Sequence, residues 1–292
     1  MTVADGAREP EAVRGAVGLF YDDMDAFYEA VWGGNLHAGL WSGPEDRAPL
    51  AEAQDRMTDL FVERVGLRPG QRLLDVGCGT GVPAMRAARS AGCRAVGVTV
   101  SRAQASRALA LAKGAELADR LAFLMSEALA LPFAEGAFDG AWALESIFHV
   151  PDRAGALREI ARVLRPGARL VLTDLVELRP LDARQRGVVA ALQIASLAGP
   201  EDYRGLLSDA GLECLEVQDL SARVRRSIGE TLAATDARRG ELVESYGEAL
   251  YETMRRLLPE LEALYADKLG YVLVVARKPM RSIARSSMGD RS

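Results

Sequence analysis

Between residues 72 and 177 the chain alternates short apolar runs with stretches whose apolar positions recur every three or four residues. Arg72-Leu73-Leu74-Asp75-Val76 breaks at Gly77 and gives way, from Val82 on, to a helical pattern. The same run-then-helix unit recurs with 94–99 and a helix to about Glu116 that Ser101 is placed to cap, and with 138–144 and 153–164. Residues 121–125 and 169–175 add two more apolar runs, with 165–167 read as a turn before the second. Continuous apolar strands that feed crossover helices belong to a parallel sheet covered on both faces, so the centre of the chain is an α/β domain.

The flanking segments carry other periods. Val17, Phe20, Tyr21, Met24, Phe27, Tyr28 and Val31 fall at three- and four-residue steps and predict one amphipathic helix or two short ones, ending at Gly33-Gly34; residues 50–65 predict another. Downstream, 191–211 reads as two helical pieces joined at Gly199-Pro200, and 213–220 alternates as a sixth strand. Residues 226–264 read as helix, with Leu232, Leu250, Met254, Leu257, Leu258, Leu261 and Leu264 inward, and 271–277 as a last buried strand. The expected organisation is a disordered start (1–11), an N-terminal helical segment (12–66), the α/β core (67–178), further helices with the sixth strand (179–270), the last strand (271–279) and a disordered polar tail (280–292).

Composition narrows the function. With 292 residues, 49% of them hydrophobic, the chain can bury a full core. A net charge of −5 and the lack of a basic stripe argue against nucleic acid as partner. No apolar run approaches the ~20 residues of a membrane span, and the start shows no basic-then-apolar leader, so a cytoplasmic protein without membrane contact is expected. Cys78, Cys93 and Cys214 are scattered and lack histidine neighbours, which suggests neither disulfide nor metal site.

Chemistry concentrates at the first strand's end. Glycines at 77, 79 and 81 let the backbone approach a ligand, and the helix that follows offers unpaired N–H groups. A dinucleotide fingerprint would need glycine where Val82 stands, and the second strand ends without the acid that binds a ribose. Both features oppose an NAD-dependent oxidoreductase.

Asp75-x-Gly77-x-Gly79-x-Gly81 resembles motif I of the class I S-adenosylmethionine (SAM) methyltransferases, and three further segments follow in that family's order. Gly97-Val98-Thr99-Val100-Ser101-Arg102-Ala103-Gln104 is similar to a variant seen in natural-product and sarcosine/dimethylglycine methyltransferases. Ser126-Glu127-Ala128 resembles the adenine-contacting segment, and Arg162-Val163-Leu164-Arg165-Pro166-Gly167 the family's post-helix motif. The resemblance implies a Rossmann-like seven-stranded sheet with an N-terminal helical lid and a helical insertion before the last strand. It implies SAM as cofactor and S-adenosylhomocysteine as product. Asp75, Gly77, Gly79, Gly81, Thr99, Gln104, Glu127, Ala128 and Ala143 would hold the cofactor. Tyr21, Trp32 and His37 in the lid, with Phe148, would face a small-molecule substrate.

Methyl transfer from a sulfonium is an in-line displacement, so positioning does most of the work and a base the rest. The chain has two histidines, His37 in the lid and His149 at the end of the fourth strand, both in candidate site segments. In the sugar O-methyltransferases this chain resembles, two adjacent histidines stand at that junction; here Phe148 replaces the first, leaving His149, with Asp174 matching an acid that orients or shares the base's role. O-methylation of a hydroxyl on a largely apolar secondary metabolite is the favoured expectation.

Glu145 supports another reading. It matches a glutamate of prenyl diphosphate C-methyltransferases, where Phe148, Trp32, Tyr21 and Phe27 would stabilise a carbocation and Arg179, Arg184 and Arg186 the diphosphate. Mg2+ enters only with such a diphosphate acceptor. Equally, Glu145 caps the following turn or ties down the lid. A SAM-binding cyclase that no longer transfers methyl groups fits the same motifs. The identity of the acceptor and the oligomeric state stay open.

Overall fold

The computed structural model describes residues 15–195 and 197–280. The disordered start expected at 1–11 lies outside the described residues, as does the tail expected at 280–292 apart from Met280. The chain opens with α1 (Gly15–Asp23), α2 (Asp25–Trp32) and α3 (Leu50–Val65), then enters the sheet at β1 (Arg72–Val76). There follow α4 (Val82–Ser90), β2 (Arg94–Thr99), α5 (Arg102–Gly114), β3 (Leu121–Met125), β4 (Phe138–Leu144), a 3-10 turn at Ile147–His149, α6 (Arg153–Val163) and β5 (Leu164–Glu177). The last part contains α7 (Ala183–Ala191), α8 (Asp202–Asp209), β6 (Glu213–Asp219), α9 (Ser221–Val224), α10 (Arg226–Ala237), α11 (Arg239–Tyr246), α12 (Glu248–Leu264) and β7 (Leu269–Arg277).

The seven strands form one sheet in the order β3-β2-β1-β4-β5-β7-β6. The first five are parallel, and β7 runs antiparallel to both β5 and β6. This is the seven-stranded sheet with N-terminal helices and an insertion between the sixth and last strands that the sequence implies. Strand order reverses between β1 and β4, so their carboxyl ends open a crevice, the position at which open α/β sheets bind ligands. Alternate residues of each strand feed two cores: Leu73, Trp142 and Val171 face Phe61 and the α4 side, whereas Leu74, Ala141 and Leu172 face Ile160 and the α6 side. A third cluster joins Met24, Phe27 and Val31 of the N-terminal helices to Leu242, Tyr251 and Met254 of the insertion, so these helices and the insertion make one roof. Among the described residues no helix is long and apolar enough to cross a membrane.

Three local expectations are corrected. The first helical piece expected after residue 191 is irregular over the described residues 192–195 and 197–201. Gln193 sits at φ +58°, and Ala198 bridges to Val176 of β5, pulling the chain out of helical form. The helix expected over 226–264 breaks at Arg238 and again at Gly247, whose φ of +83° ends α11. Residues 165–167, expected as a turn, belong to β5, which absorbs them through a register slip opposite Phe138 and Gly140.

Candidate active site

The crevice above β1 and β4 is a cavity of about 660 Å³ lined by the glycine loop, the ends of β2 and β4, α1, the 36–37 loop and the chain after α7. Two of its glycines serve packing of the loop itself. A Cβ at Gly77, which holds φ +73°, would lie 2.3 Å from the Cβ of Ser146. At Gly81, with φ +75°, it would lie 2.5 Å from the Phe123 ring. Gly77 and Gly79 line the cavity, and Gly81 does not. Ala143, expected in the same set, is fully buried in the core away from the cavity wall.

One end of the cavity is polar. Asp75 is 2% exposed, and its Oδ2 has no hydrogen-bond partner of regular geometry. Burial pushes its pKa up to about 7, with the Trp142 indole pulling the other way. Thr99 donates its hydroxyl to Gln104 Oε1 at 2.9 Å, and Ser101 caps α5 by accepting from the Gln104 amide. Thr99, Gln104, Ser126, Glu127 and Ala128 all line the wall. Sequence reasoning missed Asp22. From α1 it accepts the Ser101 hydroxyl at 2.6 Å and the Ala103 amide at 3.0 Å, placing a lid carboxylate at the positive end of α5.

The other end centres on His149. Its Nδ1 lies 2.7 Å from the Gln193 carbonyl and its Nε2 2.9 Å from the Tyr21 hydroxyl. A carbonyl only accepts, so Nδ1 carries the proton; Nε2 is bare and Tyr21 donates to it. Burial lowers the His149 pKa to about 4, keeping the ring neutral at pH 7. The Gln193 signal was invisible in sequence because the acceptor is main chain. His37 also lines the cavity, yet both ring nitrogens are engaged, Nδ1 with the Ala38 carbonyl and Nε2 with Thr58, and its pKa is likewise lowered to about 4.

Glu145, at φ +52°, accepts the Ala38 amide at 2.7 Å and the Tyr271 hydroxyl at 2.6 Å on the same oxygen, Oε1. Burial raises its pKa to about 7. Asp174, expected to assist the base, does not line the cavity. It is 0% exposed, paired with Arg153 Nε at 2.8 Å and bonded by the Tyr203 hydroxyl. The aromatic pocket is corrected too. Trp32 packs on the roof cluster that holds Phe27, and Phe148 is buried behind His149, its ring 4.4 Å away centre to centre; of the four aromatic residues only Tyr21 reaches the cavity. Arg179, Arg184 and Arg186 pair with Asp267, Glu260 and Glu177 outside that wall.

A family profile described as a methyltransferase domain matches residues 74–172. Over nearly the full chain, similarity extends to the (+)-O-methylkolavelool synthase of Herpetosiphon aurantiacus, 37% identical and spanning 90% of this chain and 93% of that one. It extends also to the 27-O-demethylrifamycin SV methyltransferase of Amycolatopsis mediterranei, 36% identical over 90% and 97% of the two chains. The chain belongs to the class I SAM-dependent methyltransferases. Among solved structures of this fold, the [4+2]-cyclase SpnF is 34% identical with a TM-score of 0.81, covering 90% of this chain and 96% of that one.

The residues fit a SAM methyltransferase's cofactor. A buried carboxylate oxygen that makes no hydrogen bond of regular geometry, beside Gly77 and Gly79 on the cavity wall, suits the positively charged methionine end of SAM. Because the folded-state pKa of Asp75 lies above its ordinary value, the ligand-free fold holds this proton where the unfolded chain has lost it. Its burial therefore costs stability as pH rises from about 4 to 7. A cation bound beside it favours the ionised form. SAM affinity should thus rise between about pH 6 and pH 8 with proton release, by calorimetry in buffers of differing ionisation enthalpy, and the dependence should shrink in Asp75→Asn.

Proposed function

We propose that this enzyme transfers the methyl group of SAM to a hydroxyl oxygen of a small, largely apolar acceptor, a secondary metabolite, with His149 as the base. The contact between His149 Nδ1 and the Gln193 carbonyl carries the reading. It fixes the tautomer, so Tyr21 must donate to Nε2, and the Tyr21 oxygen is left with its lone pairs for the cavity. A group that meets this oxygen must donate a hydrogen bond, as a hydroxyl does and an alkene carbon does not. Around the dyad, Val17, Leu36, Leu144, Val150 and Ile194 line the wall, which suits an apolar body.

The bound cofactor supplies an electrophilic methyl group. The protein's residues do the rest: Tyr21 and His149 hold the acceptor hydroxyl and take its proton, one proton moving to the Tyr21 oxygen as another moves to Nε2. A hydroxyl becomes strongly acidic as its oxygen is alkylated, so a weakly basic imidazole suffices. The relatives named for O-methylated products support the choice of oxygen. Carbocation chemistry on a prenyl diphosphate, with its Mg2+, is less well supported, because Trp32, Phe27 and Phe148 do not line the cavity.

A cyclase without methyl transfer is the second reading, favoured by the likeness to SpnF. A mass-shift assay with SAM and a panel of hydroxylated terpenoids and polyketides separates the two. Stoichiometric S-adenosylhomocysteine with a product heavier by one methylene supports transfer; an isomerised product of unchanged mass supports the cyclase.

A further inference from the structure

The lid loop is held by a run of consecutive amides, each donating to a different part of the molecule. Ala38 N donates to Glu145 Oε1 at 2.7 Å, Gly39 N to Ser227 Oγ of α10 at 2.9 Å, Leu40 N to the Ala53 carbonyl of α3 at 2.8 Å and Trp41 N to the Arg223 carbonyl of α9 at 3.0 Å. Gln54 Nε2 meanwhile donates to the carbonyls of Asn35 and His37. The loop is thus a strap sewn across α3, α9, α10 and the end of β4, and Leu36 and His37 within it form part of the cavity wall.

Of these anchors, Glu145 is the one whose side chain belongs to the cavity. Its backbone is left-handed at φ +52°, an uncommon conformation for a residue with a Cβ, and its amide is pinned to Thr173 Oγ1 at 3.2 Å. Oε1 already takes both the strap amide and the Tyr271 hydroxyl, so its two lone pairs are occupied. Oε1 is therefore the oxygen that holds the strap.

We propose that Glu145 is a positioning residue: it clamps the 38–41 strap to the sheet and so closes the wall formed by Leu36 and His37 over the acceptor. The kinetic consequence rests on the methyl-transfer reading; the clamp itself does not. Removing the carboxylate frees the Ala38 amide and loosens the strap. Glutamine keeps an acceptor oxygen for both donors and lacks the basicity a proton acceptor would need.

The test is amide hydrogen exchange over residues 36–41 on the ligand-free full chain, for wild type, Glu145→Ala, Glu145→Gln and Tyr271→Phe. Glu145→Ala should speed exchange there by roughly tenfold, about the factor of one lost hydrogen bond, while Glu145→Gln restores protection and Tyr271→Phe, which leaves the Ala38 bond, stays near wild type. With an acceptor in hand, Glu145→Ala should raise KM more than it lowers kcat, and Glu145→Gln should recover most of the loss. Unchanged exchange in Glu145→Ala, or equal exchange in the alanine and glutamine variants, overturns the clamp. A glutamine variant with full protection but kcat as low as alanine's overturns it as well, and makes Glu145 a base.

Discussion

Replacing His149 with alanine should lower kcat by about two to four orders of magnitude, the range a positioned acid–base group supplies, and leave SAM affinity unchanged. Under the proposed function the His149 ring serves the acceptor, whereas Asp75, Thr99 and Gln104 serve the cofactor, so the two roles are separable by substitution. Tyr21→Phe should cost less, because His149 Nε2, 2.9 Å from the lost hydroxyl, then faces the acceptor directly. The pH profile is a second check. A histidine held near 4 by burial stays neutral through the neutral range, so the acid limb of kcat/KM due to the base should fall near pH 4, far below the ordinary imidazole value. Activity surviving in His149→Ala at wild-type kcat would sink the assignment, and would move attention to the cyclase reading, which needs no base there.

The strands were legible because a buried parallel strand leaves little choice of residue: β1, β2, β3 and β4 are each short apolar runs bounded by glycine or polar turns. Helix ends were legible where a side chain makes the cap, as Ser101 does for α5. The site was legible where chemistry is rare, since two histidines in the whole chain both fall on the cavity. It was illegible where the partner is main chain. Nothing in the composition of 192–195 announces that the Gln193 carbonyl orients His149 and the Ala195 amide bonds the Phe148 carbonyl, although these contacts are what bend the expected helix out of shape. Aromatic residues misled for a related reason: Trp32 and Phe148 stand in or beside candidate site segments in sequence, but a ring packed in a roof and a ring lining a cavity have the same pattern. Asp22 was missed because its role at α5 depends on a contact across 79 positions of sequence.

Asp174→Ala should destabilise the fold by about 3–5 kcal/mol, the cost of stranding one member of a buried ion pair. An acid after a strand looks the same in sequence whether it faces the ligand or the interior; here α6 and α8 settle it by bringing Arg153, 6% exposed, and Tyr203, 0% exposed, onto a carboxylate that is itself 0% exposed. Burial holds the Asp174 pKa above its ordinary range in spite of the Arg153 guanidinium, so the group sits in a costly environment that its two partners only partly offset. Removing the carboxylate takes from a buried guanidinium and a buried phenol the acceptor they share. Replacing all three together, as Asp174→Leu, Arg153→Met and Tyr203→Phe, removes the buried polar groups as a set and should recover most of the loss. Urea denaturation of the single and triple variants measures both values at constant slope. Under this arrangement the triple variant folds and keeps turnover, since none of the three touches the cavity. A single variant that unfolds at the wild-type midpoint yet fails to methylate would return Asp174 to the chemistry and would require the Arg153 pair to open during the reaction.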